Sequence, residues 1–369
     1  MSYRSKLANK IALDRDLELH RERFAGRPEI VVFQTTEYCN LRCVMCPRSV
    51  QQGTRRLSAS EIERIASQLF PFARLAILAG HEGEPLLHDF DVVVRAARRF
   101  GVKLDVVTNA TQLTLPRYLA WRDVLTRINV SLDSPVPHIY AALRVGSELR
   151  LLEHQLAQIR DWRRKRPDDV IWTVSAVVMR SNLATIAELP DWAAHFGFHA
   201  VMLQPLRQFS KQSPGEDLLP DDFVARADRA GAAPAFRLRD DVLATLARVS
   251  AAGVRHGVSV YFSDFALPPV EVRPPPPALV AHLEAQRACW FLARSIVVAP
   301  NGVVTPCCHP TPFVFGNLLT QELEEVWNGT VARGLRRAHF ERTRVAPCAR
   351  CLHAPYLRTR DAQLSPALA

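Results

Sequence analysis

The stretch IVVFQTTEYCNLRCVMC, residues 30–46, runs from an apolar segment into a loop with three cysteines. Ile30-Val31-Val32-Phe33 is an apolar, β-branched run of strand length. It leads into a loop with Cys39, Cys43 and Cys46 in C-x3-C-x2-C spacing. Thiolates are soft ligands that select zinc or iron–sulfur clusters over hard cations. Three on one short loop can hold three irons of a [4Fe–4S] cube, which normally takes four cysteines. The fourth iron is then open to a substrate or cofactor, which points to chemistry rather than electron transfer alone. Zinc is the alternative that the same ligands allow.

Outward from this run, apolar strands alternate with helical stretches. Strands are expected at Ile30–Gln34, Leu75–Ala79, Lys103–Thr108, Arg127–Leu132, Ile171–Met179 and Ala200–Gln204. Ser60 reads as the N-cap of a helix over Glu61–Leu69. Leu149, Leu152, Leu156 and Ile159 recur at helical spacing within Glu148–Trp162, and Ala184–Phe196 stops before Gly197. Such alternation predicts an α/β fold with a parallel sheet and right-handed crossovers. Six repeats are too few for a closed eight-fold barrel. After Gln204 the pattern changes: residues 205–240 are polar, then a helix (Asp240–His256) and a short strand (Val258–Phe262) follow. Pro274 to Pro277 predict an extended linker.

Cys39-Asn-Leu-Arg-Cys43-Val-Met-Cys46-Pro resembles the cluster motif of the radical S-adenosylmethionine (radical SAM) superfamily. The resemblance implies a partial (β/α)6 TIM-like barrel, open on one side. It implies that the amino and carboxylate groups of SAM chelate the open iron. Reductive cleavage then yields methionine and a 5′-deoxyadenosyl radical. Met45, before the last cysteine, would pack near the adenine. Barrel sites collect residues from the C-terminal ends of strands. There, Gly83-Glu84-Pro85 resembles the glycine–glutamate element that receives the SAM amino group, with His81 where many relatives have glycine and Glu82 as a lesser candidate. Asn109 ends the third strand on the ribose side. Ser131-Leu132-Asp133 resembles the family's Ser-x-Asp element. Ser131 and Arg144 would hold the SAM carboxylate, to which a guanidinium is suited by two-pronged hydrogen bonding.

The remaining five cysteines are Cys289, Cys307, Cys308, Cys348 and Cys351. Their order, with Gly302, Gly316-Asn317-Leu318 and Trp327-Asn328 between them, resembles the SPASM/twitch auxiliary-cluster subgroup. No cysteine follows Cys351, so the resemblance implies one auxiliary [4Fe–4S] cluster, as in the shorter twitch form. Cys289, Cys307, Cys348 and Cys351 are its expected ligands and Cys308 the spare; four thiolates also fit structural zinc. The expected organisation is an N-terminal helical extension (1–28), a radical SAM barrel with a helical extension (29–264), a Pro-rich linker (265–284) and a SPASM/twitch-like domain (285–369).

Composition narrows the partners. The N-terminus is charged and lacks a signal-peptide core, and no run of about 18 apolar residues occurs. A cytoplasmic enzyme is expected, its cysteines serving metal or redox work rather than disulfides. The net charge of +10 is carried almost wholly by arginine, with Arg333, Arg336, Arg337, Arg342, Arg344, Arg350, Arg358 and Arg360 clustered near the end. A basic face suits an acidic reductant such as a flavodoxin or ferredoxin. No Lys/Arg run interleaves with aromatics, so nucleic acid is not an expected partner.

An auxiliary cluster can accept an electron. The leading expectation is therefore a radical SAM oxidoreductase that dehydrogenates or remodels a hydroxylated small molecule, such as a sugar or aminocyclitol, in a biosynthetic pathway. The alternatives are a SPASM-type maturase acting on a ribosomal peptide or protein, and a non-catalytic iron–sulfur or zinc-binding protein.

Overall fold

The computed structural model describes residues 3–46, 53–79, 83–206, 240–262, 289–307, 312–341, 343, 345 and 348. His81, Glu82, Cys308, Cys351 and the Pro-rich linker lie outside them. The chain opens with α1 (Tyr3–Glu18), β1 (Ile30–Phe33) and the two-residue β2 (Arg42–Cys43). Then come α2 (Ala59–Leu69), β3 (Leu75–Leu78), α3 (Phe90–Phe100), β4 (Lys103–Thr108), α4 (Leu115–Trp121) and β5 (Leu125–Ser131). The next elements are α5 (Pro137–Leu143), β6 (Arg144–Val145), α6 (Leu149–Lys165), β7 (Ile171–Val178), α7 (Leu189–His195) and β8 (Ala200–Pro205). Beyond them lie α8 (Asp240–His256), β9 (Ser259–Phe262), α9 (Trp290–Arg294), β10 (Ser295–Val298), β11 (Val303–Thr305), β12 (Gly316–Asn317), α10 (Leu323–Trp327) and α11 (Thr330–Phe340).

Among the described residues the main sheet runs β12-β11-β10-β1-β3-β4-β5-β7-β8-β9. The six expected strands sit side by side and pair in parallel. Two strands extend this set. β9 adds in parallel beyond β8, and β10 adds in parallel beside β1. The apolar run Ser295-Ile-Val-Val, fully buried, was the available signal for β10. No helix of the described residues is long and apolar enough to cross a membrane.

Local chemistry sets the helix ends. The N-cap of α2 is Ser58 rather than Ser60: its hydroxyl accepts from Glu61 N at 3.3 Å, and Glu61 Oε2 accepts from Ser58 N at 2.8 Å. Ser60 lies inside the first turn, because Glu61 completes this reciprocal capping box only from the third helical position. After α7, Gly197 takes the left-handed conformation, φ +72°, that ends helices cheaply only for glycine.

The tail motif Trp327-Asn328 has a packing role. Trp327 is fully buried and its indole N–H donates to Gly26 O at 2.9 Å. Asn328 pairs with the backbone of Phe24 through both side-chain atoms, each at 2.9 Å. Arg336 lies 4.0 Å from the Phe24 ring and 4.1 Å from the Trp327 ring. The N-terminal segment is thus clamped between the sheet and the C-terminal helices. Trp327→Ala is expected to cost about 3–5 kcal/mol of stability, read as an earlier unfolding midpoint in denaturant.

Candidate active site

The cluster loop leaves β1 at the C-terminal edge of the sheet, where a cavity of about 370 Å³ opens. Cys39, Cys43 and Cys46 line it together with Met45, Glu84, Asn109, Ser131, Arg144 and Gln204. The structure therefore gathers the three first-cluster cysteines and the SAM-site candidates Met45, Gly83, Glu84, Asn109, Ser131 and Arg144 around one cavity. Among the described residues no three metal-ligating side chains converge on a single-ion site. The three thiols line the same cavity, and three soft thiolates from one loop are a donor set that fits an iron–sulfur cube with one iron left open.

Gly83 shows why the element after β3 needs glycine. A Cβ there would lie 2.6 Å from the carbonyl oxygens of both Thr36 and Tyr38. The close approach lets Glu84 N donate to Tyr38 O at 2.9 Å, tying this element to the cluster loop. Glu84 is only 3% exposed. Its carboxylate accepts from Thr108 Oγ1 at 2.5 Å, Asn109 N at 2.8 Å and Leu86 N at 3.2 Å. Burial pushes its pKa up, and these donors pull against it.

Arg144 reaches the site through pairing that spacing alone does not reveal. β2 and β6 form a small antiparallel ladder in which Cys43 faces Arg144. Arg144 is 8% exposed, and its Nη1 donates to Cys43 Sγ at 3.8 Å. Its Nε lies 2.8 Å from Asp133 Oδ2, an ion pair angled off the line of a good hydrogen bond. Asp133, fully buried, accepts from Val177 N through Oδ1 at 2.8 Å. Burial works against the charge on Arg144, but Asp133 and then Cys43 outweigh it and hold its pKa above the ordinary value. Burial pushes the Cys43 thiol up to about 11, against the pull of Arg144.

Asn109 turns its carboxamide toward the cluster loop. Its Nδ2 donates to Asn40 Oδ1 at 3.0 Å and to Cys39 Sγ at 3.8 Å, and its Oδ1 accepts from Thr111 N at 3.0 Å. Cys39 Sγ also accepts from Leu41 N at 3.4 Å. Of the second set, Cys289 stands just before α9 and Cys307 follows β11; these two and Cys348 are half-buried and in no disulfide.

The sequence reading missed four residues. Asp133 was legible as a motif member but not as the anchor of Arg144. Asn129, Ser175 and Met202 line the cavity floor. Ser131, Ser175 and Met202 stand side by side in register, and Asn129 is two residues before Ser131 on the same strand face. That period of two was the available signal.

Comparison with known proteins agrees with this architecture. The profile of the radical SAM superfamily matches residues 33–189, and that of SPASM, an iron–sulfur cluster-binding domain, matches residues 289–352. The PqqA peptide cyclase of Rhodopseudomonas palustris is 31% identical over 174 residues, 46% of this chain and 44% of that protein. A probable GTP 3′,8-cyclase of Pyrococcus abyssi is 38% identical over 117 residues, 30% of this chain and 36% of that protein. The matches thus span less than half the length of these curated relatives. Among solved structures, Streptococcus suis SuiB bound to S-adenosylmethionine superposes with TM-score 0.63 at 17% identity, covering 94% of this chain and 76% of SuiB. Native anSMEcpe with bound AdoMet gives TM-score 0.56 at 14% identity, covering 89% and 88%. At these identities the structural likeness speaks for the fold. The cofactors that follow from the two profiles are a [4Fe–4S] cluster, SAM and auxiliary iron–sulfur clusters. With the superfamily profile over residues 33–189 and the SPASM profile over residues 289–352, the chain belongs to the radical SAM superfamily and carries a SPASM domain.

Proposed function

We propose that this radical SAM enzyme modifies a peptide, and that the carboxamide of Asn129 recognises it. Cys39, Cys43 and Cys46 would hold the SAM-binding cluster, and Cys289, Cys307, Cys348 and Cys351 the auxiliary one. Bound together, cluster and SAM supply abstraction of a hydrogen atom from carbon. Glu84 has three of about four carboxylate acceptor sites filled, which leaves one for the SAM ammonium. Ser131 and Arg144 would take the SAM carboxylate, and Met45 the adenine face.

The observation that carries the peptide reading is Asn129. It is 6% exposed, faces the cavity, and its Oδ1 has no hydrogen-bond partner. A buried acceptor without a partner costs free energy unless something fills it. A carboxamide offers one acceptor and two donors, the complement of a peptide bond. The two charged groups lining the cavity, Glu84 and Arg144, are the ones assigned to SAM. The lining near Asn129 is neutral: Val107 is its register partner on β4, and Ser131 follows two residues on, level with Ser175 and Met202. The match to a peptide cyclase supports the same substrate class. The sugar or aminocyclitol expected from an electron-accepting auxiliary cluster gives way to this reading, which the match to a peptide cyclase supports better.

The test is to supply reconstituted, reduced protein and SAM with synthetic peptides encoded beside its gene, and to follow peptide mass and 5′-deoxyadenosine together. A new peptide mass that appears with 5′-deoxyadenosine is expected. Stimulation by cyclitols and by none of the peptides would overturn the reading. Asn129→Leu is expected to lower kcat/KM for the peptide about tenfold or more, the loss from removing a buried hydrogen bond.

A further inference from the structure

We propose that Arg144 and Asn109 set the reduction potential of the SAM-binding cluster by donating N–H hydrogen bonds to the sulfurs of Cys43 and Cys39. The inference rests on the reading that these cysteines hold that cluster. The donors are in place without SAM or substrate. Arg144 Nη1 lies 3.8 Å from Cys43 Sγ, and Asn109 Nδ2 lies 3.8 Å from Cys39 Sγ. Both side chains are buried, where a nearby charge or dipole is poorly screened.

Each donor is fixed from its far side. Asp133 holds the Nε side of Arg144, and Val177 N holds Asp133 in turn. The ladder between Cys43 and Arg144 fixes the backbone of both partners. Thr111 holds the Asn109 oxygen through its backbone N–H and its hydroxyl, which leaves Nδ2 directed at the cluster loop. Three linked elements, β5, β6 and β7, therefore bring a cation to one thiolate, and this makes Asp133 a positioning residue.

The electrostatic consequence has a definite sign. One-electron reduction adds negative charge to the cluster and its sulfurs. Hydrogen bonds to sulfur and nearby positive charge stabilise the reduced form and raise the potential. Arg144 supplies both, whereas Asn109 supplies a neutral donor. Removing Arg144 should therefore shift the potential further than removing Asn109, and both in the negative direction.

The experiment is an EPR-monitored redox titration of the reconstituted full-length protein with dithionite, without SAM or substrate. It follows the reduced-cluster signal that is lost in Cys43→Ala. Arg144→Met is expected to move the midpoint to a more negative potential. Arg144→Lys, which keeps the charge, should recover part of that shift, and Asn109→Ala should give a smaller shift of the same sign. Midpoints that coincide with wild type in Arg144→Met overturn the proposal. Should that variant not retain iron, coincident wild-type midpoints in Arg144→Lys and Asn109→Ala overturn it. Failure of the cluster reading would look different, with no signal lost in Cys43→Ala.

Discussion

Cys43→Ala is expected to reduce 5′-deoxyadenosine formation to the background of cluster-free protein. Cys43 is the most deeply placed of the three thiols and sits on β2, paired to β6. On the proposed assignment, alanine removes one of three protein ligands from a cube that already has one iron without any. It also leaves the Arg144 N–H facing a void where the sulfur had been. Iron bound after reconstitution should fall from about eight to about four per chain, since the auxiliary site keeps its own ligands. Chromatography of SAM products and iron analysis on the same sample check this. Undiminished SAM cleavage in the variant would sink the ligand assignment.

Asp133→Ala is expected to give the largest loss of stability at the site, about 3–5 kcal/mol. Asp133 is wholly buried and the Arg144 side chain is about nine-tenths buried, so solvent does not screen the pair. Removing the carboxylate leaves a buried guanidinium opposite no charge. It also strips the acceptor from Val177 N and disturbs a turn in which Asn182 donates to the carbonyl of Asp133 at 2.8 Å. Urea unfolding of the variant measures the effect. A change of about 0–1 kcal/mol, the size seen for exposed pairs, would mean that Asp133 does not anchor Arg144.

The two variants separate chemistry from scaffold. Cys43→Ala should leave the barrel folded, because the β1–β8 core is built from apolar strand faces packed on helices. Asp133→Ala should weaken the fold while every thiol remains. Trp327→Ala would act at a distance from both, by loosening the clamp on the N-terminal segment. Stability lost there with SAM cleavage retained would identify the Trp327-Asn328 motif as structural.

Much of the architecture was legible because its signals are local. Val31, Val32 and Phe33 name a buried strand by composition, and the five strands after it do the same. Glu61 marks a helix start, although the hydroxyl that caps it belongs to Ser58, two residues before Ser60. Both serines satisfy the residue preference, and only backbone geometry distinguishes them. The short strand expected over Val258–Phe262 is present as β9, but its place beside β8, and β10 altogether, were less legible. β9 and β10 are four-residue runs far from the barrel in sequence, and their place depends on which sheet edge is free.

The sequence by itself determined the chemistry of the candidate ligands: three thiols in one loop, an acid after a glycine, a serine at the end of a strand and an arginine thirteen residues beyond it. Those follow from residue type and short spacing, which tertiary structure does not alter. What only the fold decided is how these groups act on one another. Arg144 lies 101 residues from Cys43, yet antiparallel pairing sets its guanidinium against that sulfur. Asn129 reads as an ordinary strand residue until the register of β5 against β7 turns it into the floor of a cavity and leaves its oxygen without a partner. Hydrogen bonds and ion pairs act over a few ångströms, so their meaning belongs to residues that folding makes neighbours.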